Sequence, residues 1–65
     1  MKLTRYKWAI ITRERPTLFL TERGELTEDF DKAELLGHKE ADDEIKVLGE
    51  PQNFTKVKVT YSVEV

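Results

Sequence analysis

The side chain best suited to acid–base chemistry is the single histidine, His38. It precedes Lys39 and Glu40 at the start of a predicted helix, where it could serve as a general base or a metal ligand. The chain has no cysteine and no second histidine, so neither a thiol nucleophile nor a shared histidine–cysteine metal site can form. We therefore expect His38 to be a solvated residue, and we expect the protein to be no enzyme and to need no cofactor.

Acidic residues are the second set that could do chemistry. The segment 29–31, Asp-Phe-Asp, resembles the opening of a calcium-binding loop. However, Ala33 stands where a third oxygen ligand belongs, and Glu34 stands where the turn glycine belongs. Four further carboxylates follow on the predicted helix: Glu40, Asp42, Asp43 and Glu44. They could bind cations or imitate nucleic-acid phosphates, but charged helix faces are common, so we interpret them as a solvated surface and predict no metal site.

Charge is distributed unevenly along the chain, although the net charge is only −2. Residues 1–21 carry five cations and one acid, whereas residues 22–50 carry eleven acids and four cations. The basic segment also contains Tyr6 and Trp8, and cations beside aromatic rings can bind single-stranded nucleic acid. Nucleic-acid binding by this segment is therefore an alternative function, although the overall charge is negative and the rings share the face of Ile10, which the core needs.

Two strands are predicted to open the fold. Residues 4–13 alternate in the manner of a strand, with Tyr6, Trp8 and Ile10 on one face. Pro16 ends a short polar turn, because proline lacks a backbone donor and fixes its φ angle. Residues 17–22 are rich in β-branched, aromatic and aliphatic side chains. Strands joined by so short a turn are expected to form an antiparallel hairpin.

The segment 27–36 is open to two interpretations. Phe30, Ala33 and Leu36 lie near helical spacing, and Thr27 could cap a helix there. A helical turn from Glu28 to about Ala33, followed by a short extended segment 34–36, also fits the sequence, and we favour it.

The second half of the chain has two regular elements. Residues 38–48 form the best predicted helix, because Ala41, Ile45 and Leu48 make one apolar stripe and Gly49 supplies a stop signal. Residues 54–65 form the clearest predicted strand, with strict alternation of apolar and polar side chains. Its apolar face contains Val57, Val59, Tyr61, Val63 and Val65, and its polar face contains Lys56, Lys58, Thr60, Ser62 and Glu64.

These elements predict a single α+β domain over residues 1–65. We expect a small, mainly antiparallel sheet of three or four strands with one α-helix packed on one face, in the order ββ-α-β. The expected core joins the apolar face of the last strand to the helix stripe and to the apolar face of the first strand. Leu18 and Leu20 of the second strand are expected to join it.

The predicted hairpin carries more apolar groups than one face can use. Ile11 lies on the face opposite Ile10, and Phe19 lies on the face opposite Leu18 and Leu20. Since one short helix covers only one face, the surplus groups either form an outer patch with a polar rim or are covered by Leu26, Phe30 and Leu35. An outer patch of this kind is typical of an interface.

Over nearly its whole length the chain resembles a group of very small phage and prophage proteins of unknown function. The resemblance lies in an opening hairpin, a T-x-D-x-x-x-A-type turn, an alanine-bearing acidic helix and a closing strand. The matching segments are 6–11, 27–33, 39–41 and 56–59. The resemblance implies a small ββ-α-β domain and a viral accessory role, and it implies no catalytic residue.

We therefore predict a non-enzymatic module that contacts a host or viral protein or associates with itself. The candidate partner-binding residues are Lys7, Ile11, Arg13 and Phe19 on the hairpin, and Glu40, Asp43 and Glu44 on the helix. We expect no small-molecule substrate and no membrane contact, since the longest apolar run, Trp8 to Ile11, is too short to span a bilayer. Because the N-terminus has no apolar leader segment, the cytoplasm is the expected location.

Overall fold

The computed structural model describes residues 1–65. They form one four-stranded antiparallel sheet and one α-helix, which is the predicted α+β class. The strand order is β3-β2-β1-β4, so the first and last strands lie side by side in the sheet. The elements are β1 (Lys2–Thr12), β2 (Phe19–Leu20), β3 (Leu26–Thr27), a 3-10 turn (Phe30–Lys32), α1 (His38–Val47), a second 3-10 turn (Pro51–Asn53) and β4 (Phe54–Glu64).

The opening hairpin forms as predicted, but its second strand is only two residues long. Ile11 of β1 lies opposite Phe19 of β2 in an antiparallel pair. Thr12 closes the loop, because its hydroxyl oxygen accepts the Leu18 N–H at 3.0 Å and its own N–H donates to the Leu18 carbonyl at 3.0 Å. The intervening residues 13–17 therefore loop out rather than extend the ladder.

A third short strand, β3, was not predicted from the sequence. The Thr21 hydroxyl accepts the Glu25 N–H at 3.1 Å, and the Thr21 N–H donates to the Glu25 carbonyl at 2.9 Å. Gly24 completes this turn with a φ of 79°, which only glycine adopts readily. The turn folds Leu26 and Thr27 back against β2.

The segment 27–36 follows the interpretation that we favoured, a helical turn followed by extended chain. Asp29 caps the 3-10 turn, since its carboxylate accepts the Asp31 N–H at 2.9 Å, and the Thr27 hydroxyl accepts the Asp29 N–H at 3.1 Å. Leu36 then pairs with Trp8 of β1, each N–H donating to the other residue's carbonyl at 2.7 Å.

Helix α1 forms over the predicted residues and packs on one face of the sheet. Its buried residue is Ala41, and Ile45 and Leu48 pack beside it as the apolar stripe predicted. Gly49 follows the helix with a φ of 80°, the left-handed conformation that commonly ends helices. The fully buried part of the core on this side is small, since it consists of Ala41, Ile10 and Leu20.

The apolar face of β4 lies on the side of the sheet away from α1, which corrects our prediction that it joins the helix in the core. Val57 is paired with Ala9, and Val59 with Lys7, whereas Trp8 and Ile10 belong to the cluster under the helix. Paired residues share a face and neighbours along a strand alternate, so the valines face outward from the helix. The alternation of β4 fixes two faces but cannot tell which of them meets α1.

Two other residues that were expected in the core lie outside it. Tyr6 is 58% exposed, because the helix does not extend over that part of β1. Leu18 is half-buried but lies outside the central cluster. Trp8, Ile10 and Leu20 pack where they were predicted.

Candidate interaction surface

The side of the sheet away from α1, here called the open face, gathers apolar residues from three strands. The pairing of β1 with β4 and of Ile11 with Phe19 places them together. It carries Leu3, Arg5, Lys7, Ala9 and Ile11 from β1, Phe19 from β2, and Val57, Val59, Tyr61 and Val63 from β4. Apolar side chains therefore lie on the side of the sheet that the helix does not cover as well as under the helix.

One end of the open face is partly covered by the segment after β3. Phe30 packs edge-to-face on Phe19, with ring centroids 5.3 Å apart, and Ala9 is 1% exposed. Leu26, also considered as a cover, is paired with Leu20 and so lies on the helix side. Of the three residues that we had considered as a cover, Phe30 thus packs on Phe19, Leu26 does not cover the open face, and Leu35 is 39% exposed.

The other end of the open face belongs to a projecting two-stranded arm, defined by residues 2–7 of β1 and 59–64 of β4. In the arm these two strands pair only with each other, and the molecule measures 41 Å along its longest axis but 23 and 19 Å across. Tyr61 is 37% exposed and Val63 40% exposed. Since an isolated pair of strands is only marginally stable in water, the arm leaves apolar surface for another molecule to cover.

The charges on the arm's open face are all positive. Arg5 lies opposite Tyr61, and Lys7 lies opposite Val59, and both cations are exposed. The only acid in β4 is Glu64, which is paired with Lys2 and so lies on the other side. The arm therefore presents apolar groups beside two cations, a combination that suits a partner with apolar and acidic groups.

The structure brings together only part of the predicted partner-binding set. Lys7, Ile11 and Phe19 lie on the open face. Arg13 lies at the end of the β1–β4 ladder, where its Nε donates to the Phe54 carbonyl at 3.0 Å. The three predicted acids, Glu40, Asp43 and Glu44, belong to α1 and therefore lie on the opposite side of the sheet.

The acidic surface of α1 extends to residues outside the helix. Burial raises the pKa of Glu34, and the carboxylates of Glu44, Glu22 and Glu40 raise it further. Glu40 and Glu44 are thus close enough to Glu34 for their charges to raise its pKa. The chain carries its two charged surfaces on opposite sides of the sheet.

A polar cluster joins the start of α1 to β4, and sequence reasoning missed it. The Lys56 Nζ lies 2.8 Å from Asp42 Oδ1 and 2.9 Å from His38 Nδ1. The hydrogen bond from Lys56 lowers the pKa of Asp42, with further lowering by the charges of Lys56, His38 and Lys46. The i, i+4 spacing of His38 and Asp42 in the sequence indicated that these two side chains would be neighbours on the helix. The contribution of Lys56 could not be predicted, because it depends on the register of β4 against β1.

Two aromatic rings of β1 near this cluster each contact a lysine of β4. Lys56 Nζ lies 5.0 Å from the centre of the Trp8 ring, and Lys58 Nζ lies 4.1 Å from the centre of the Tyr6 ring. His38 packs against Trp8 with ring centroids 5.2 Å apart. These rings stack on the chain's own cations and so anchor β4 to β1 and α1. His38 itself is exposed, as expected.

Nowhere in the chain do three histidine or acidic side chains lie close enough to share a metal ion. Helix α1 is too short and too polar to cross a lipid bilayer. No family model, curated protein or solved structure matches this chain.

Proposed function

We propose that this protein is a non-enzymatic binding module that holds another protein against the open face of its arm. The observation that carries the proposal is the β1–β4 register, which places Val59, Tyr61 and Val63 on the side that α1 does not cover. An apolar patch with a charged rim is typical of a protein interface.

The open face favours a partner that presents apolar groups beside carboxylates. Leu3 and Val63 supply apolar surface at the tip of the arm, and Arg5 and Lys7 supply positive charge beside it. Cations at the rim mainly speed association and select the orientation of the partner, while the apolar groups provide most of the affinity. The resemblance to phage and prophage proteins adds the expectation that the partner is a host or viral protein.

A non-enzymatic role is supported by the surroundings of the only histidine. His38 is engaged by Lys56 and lies beside Asp42, which is itself bound to Lys56. The cluster holds no hydroxyl or thiol that the imidazole could activate, and its side chains bind one another.

Adjacent positions in β1 provide a matched test of the open face. Leu3→Glu places a carboxylate on the open face, whereas Thr4→Glu places the same group on the opposite side one residue later. The immobilised wild-type chain and both variants are compared in capture from the source cells, and the captured protein is purified and titrated by calorimetry. Leu3→Glu is expected to weaken binding by about tenfold or more, which is about 1.4 kcal/mol, and Thr4→Glu by less than about twofold.

Lys7→Glu, at an exposed position of β1, supplies a second variant. It reverses a charge on the open face and is expected to slow association with an acidic partner, with a smaller dependence on salt. A captured protein that binds Leu3→Glu and Lys7→Glu as tightly as the wild type would contradict the proposed function, provided that circular dichroism shows each variant folded.

A further inference from the structure

The outer edge of β4 has a defined set of free backbone groups. Met1 and Val65 exchange both hydrogen bonds, at 3.1 and 2.8 Å, and the Arg13 N–H donates to the Asn53 carbonyl at 2.9 Å. Hydrogen-bonded and non-hydrogen-bonded pairs alternate in an antiparallel ladder, so the odd-numbered residues of β4 direct their backbone groups at β1. The even-numbered residues direct theirs outward, where β4 has no neighbouring strand: Lys56, Lys58, Thr60, Ser62 and Glu64.

We infer that this edge pairs with β4 of a second copy of the chain, antiparallel and about a two-fold axis at Thr60. The result is one continuous eight-stranded sheet with β4 strands at its centre. This inference concerns the edge of the sheet and not the open face, so it is independent of the proposed binding function. An unpaired, regular edge strand is a template for pairing with another chain, and β4 extends over 11 residues without a proline.

The side chains of β4 are self-complementary about Thr60. A two-fold axis perpendicular to the sheet keeps each face on its own side, so positions equally distant from Thr60 become direct neighbours. Lys56, whose Nζ is bound to Asp42 of its own chain, then lies opposite Glu64 of the second copy. The exposed cation nearest that carboxylate is Lys58. Lys58 lies opposite Ser62 of the second copy and diagonal to its Glu64.

The same register matches the apolar positions on the open face. Val57 lies opposite Val63 of the second copy, and Val59 lies opposite Tyr61, each pair again occurring twice. Aromatic and β-branched pairs of this kind stabilise antiparallel strands. Moving the axis to Val59 places Glu64 opposite Phe54 and moves it away from Lys58 of the second copy. Moving it to Tyr61 places Glu64 directly opposite Lys58 but shortens the paired segment by two residues, so the Thr60 centre gives the longer ladder.

The single chain exposes more area than a compact chain of its size. Its accessible surface is 5006 Å², whereas a compact monomer of 7.6 kDa is expected to expose about 4,300 Å². The surplus reflects the projecting arm, to which most of the unpaired edge of β4 belongs. The radius of gyration, 12.5 Å, likewise exceeds the approximately 10.7 Å expected for a compact chain of this length.

The absence of cysteine in the chain allows a direct test of the register. Thr60→Cys is expected to form a disulfide-linked dimer under mild oxidation, because residues opposite each other in a ladder are about 5.5 Å apart at Cα. Ser62→Cys is the matched control, since its two copies lie about four residues apart along the strands and cannot be bridged. Mixing Lys58→Cys with Ser62→Cys is expected to give the mixed disulfide in excess over either symmetric product.

Sedimentation equilibrium of the unmodified chain completes the test. The average mass is expected to approach that of two chains as the concentration rises. Glu64→Lys is expected to weaken this association by about tenfold, because it replaces a carboxylate diagonal to the exposed Lys58 of the second copy with a like charge. A chain that stays monomeric at every concentration overturns the inference. Cross-linking of Ser62→Cys as readily as Thr60→Cys overturns the register. Either result leaves the Leu3→Glu test of the open face unaffected.

Discussion

Lys56 is the residue that links the most parts of the fold. It comes from β4, yet its Nζ contacts Asp42 and His38 of α1 and lies over the Trp8 ring of β1. The side chain is largely covered, with 19% of its surface exposed. A half-buried lysine with these partners fixes the start of the helix over the sheet, at a place where Gly37 provides no side-chain cap.

Replacing Asp42 tests the contribution of this cluster to stability. The pKa of Asp42 is lowered in the folded state, so its ionised form contributes stability above its ordinary value of 3.8, and that contribution is lost as the pH falls through the lowered pKa. Asp42→Asn is therefore expected to lower the urea midpoint at pH 7, and the two proteins are expected to converge well below pH 3.8. Asp43→Asn, an exposed neighbour, serves as the control, and an equal loss there would contradict the role of the Lys56 pair.

At the scale of elements, the sequence predicted α1, β4 and the opening hairpin because each has a strong local pattern. The helix stripe of Ala41, Ile45 and Leu48 and the alternation along β4 depend only on neighbouring residues. The short strand β3 was missed because its pairing depends on the turn closed by Thr21, not on a pattern of its own.

The side on which β4 places its valines could not be predicted, since β1 offers apolar residues on both faces. Ile10 and Ile11 are consecutive, so either face of β1 could meet the helix. The register that pairs Ala9 with Val57 determines which face of β4 meets the helix. This register joins segments that are far apart in the sequence, so no local pattern predicts it. The candidate surface was therefore predicted only in part, with Lys7, Ile11 and Phe19 placed on the open face and the β4 residues assigned to the core.

Ala41 tests how closely α1 approaches the sheet. It has no exposed surface and lies against Ile10 and Leu20. Ala41→Leu is expected to destabilise the fold by about 1–3 kcal/mol, because the added methylene and methyl groups have no space between helix and sheet. Val47→Leu, at a position 78% exposed on the same helix, is expected to change little. Chemical denaturation of both variants measures the difference, and a neutral Ala41→Leu would show that the layers are loosely packed.

At the scale of the whole molecule, the basic residues near the N-terminus do not share one surface. Arg5 and Lys7 lie on the open face, whereas Lys2 lies on the other side of the sheet. The acidic side of α1 adds negative charge to the molecule as a whole, whose net charge is −2. This distribution favours a protein partner over a nucleic acid, which remains the alternative prediction.

Fluorescence anisotropy of a labelled single-stranded oligonucleotide tests that alternative. We expect no binding at low salt, because too few cations lie along one continuous track to neutralise successive phosphates. Binding that weakens steeply as salt is added, and that is reduced by Lys7→Glu, would instead favour the nucleic-acid alternative. Poly-lysine of similar length serves as the positive control for the oligonucleotide.

The adjacency of β1 and β4 in the sheet also sets the order in which the chain can fold. Thr12 pairs with Phe54, and Lys2 pairs with Glu64, so the central ladder closes a loop that contains both short strands and the helix. Such long-range closure is entropically costly and slows folding relative to a fold built from local contacts. Until β4 docks, the Trp8–Ile11 run of β1 lacks its long-range partner. The docking of β4 onto β1 is therefore expected to be the slow step of folding, as a consequence of their adjacency in the sheet.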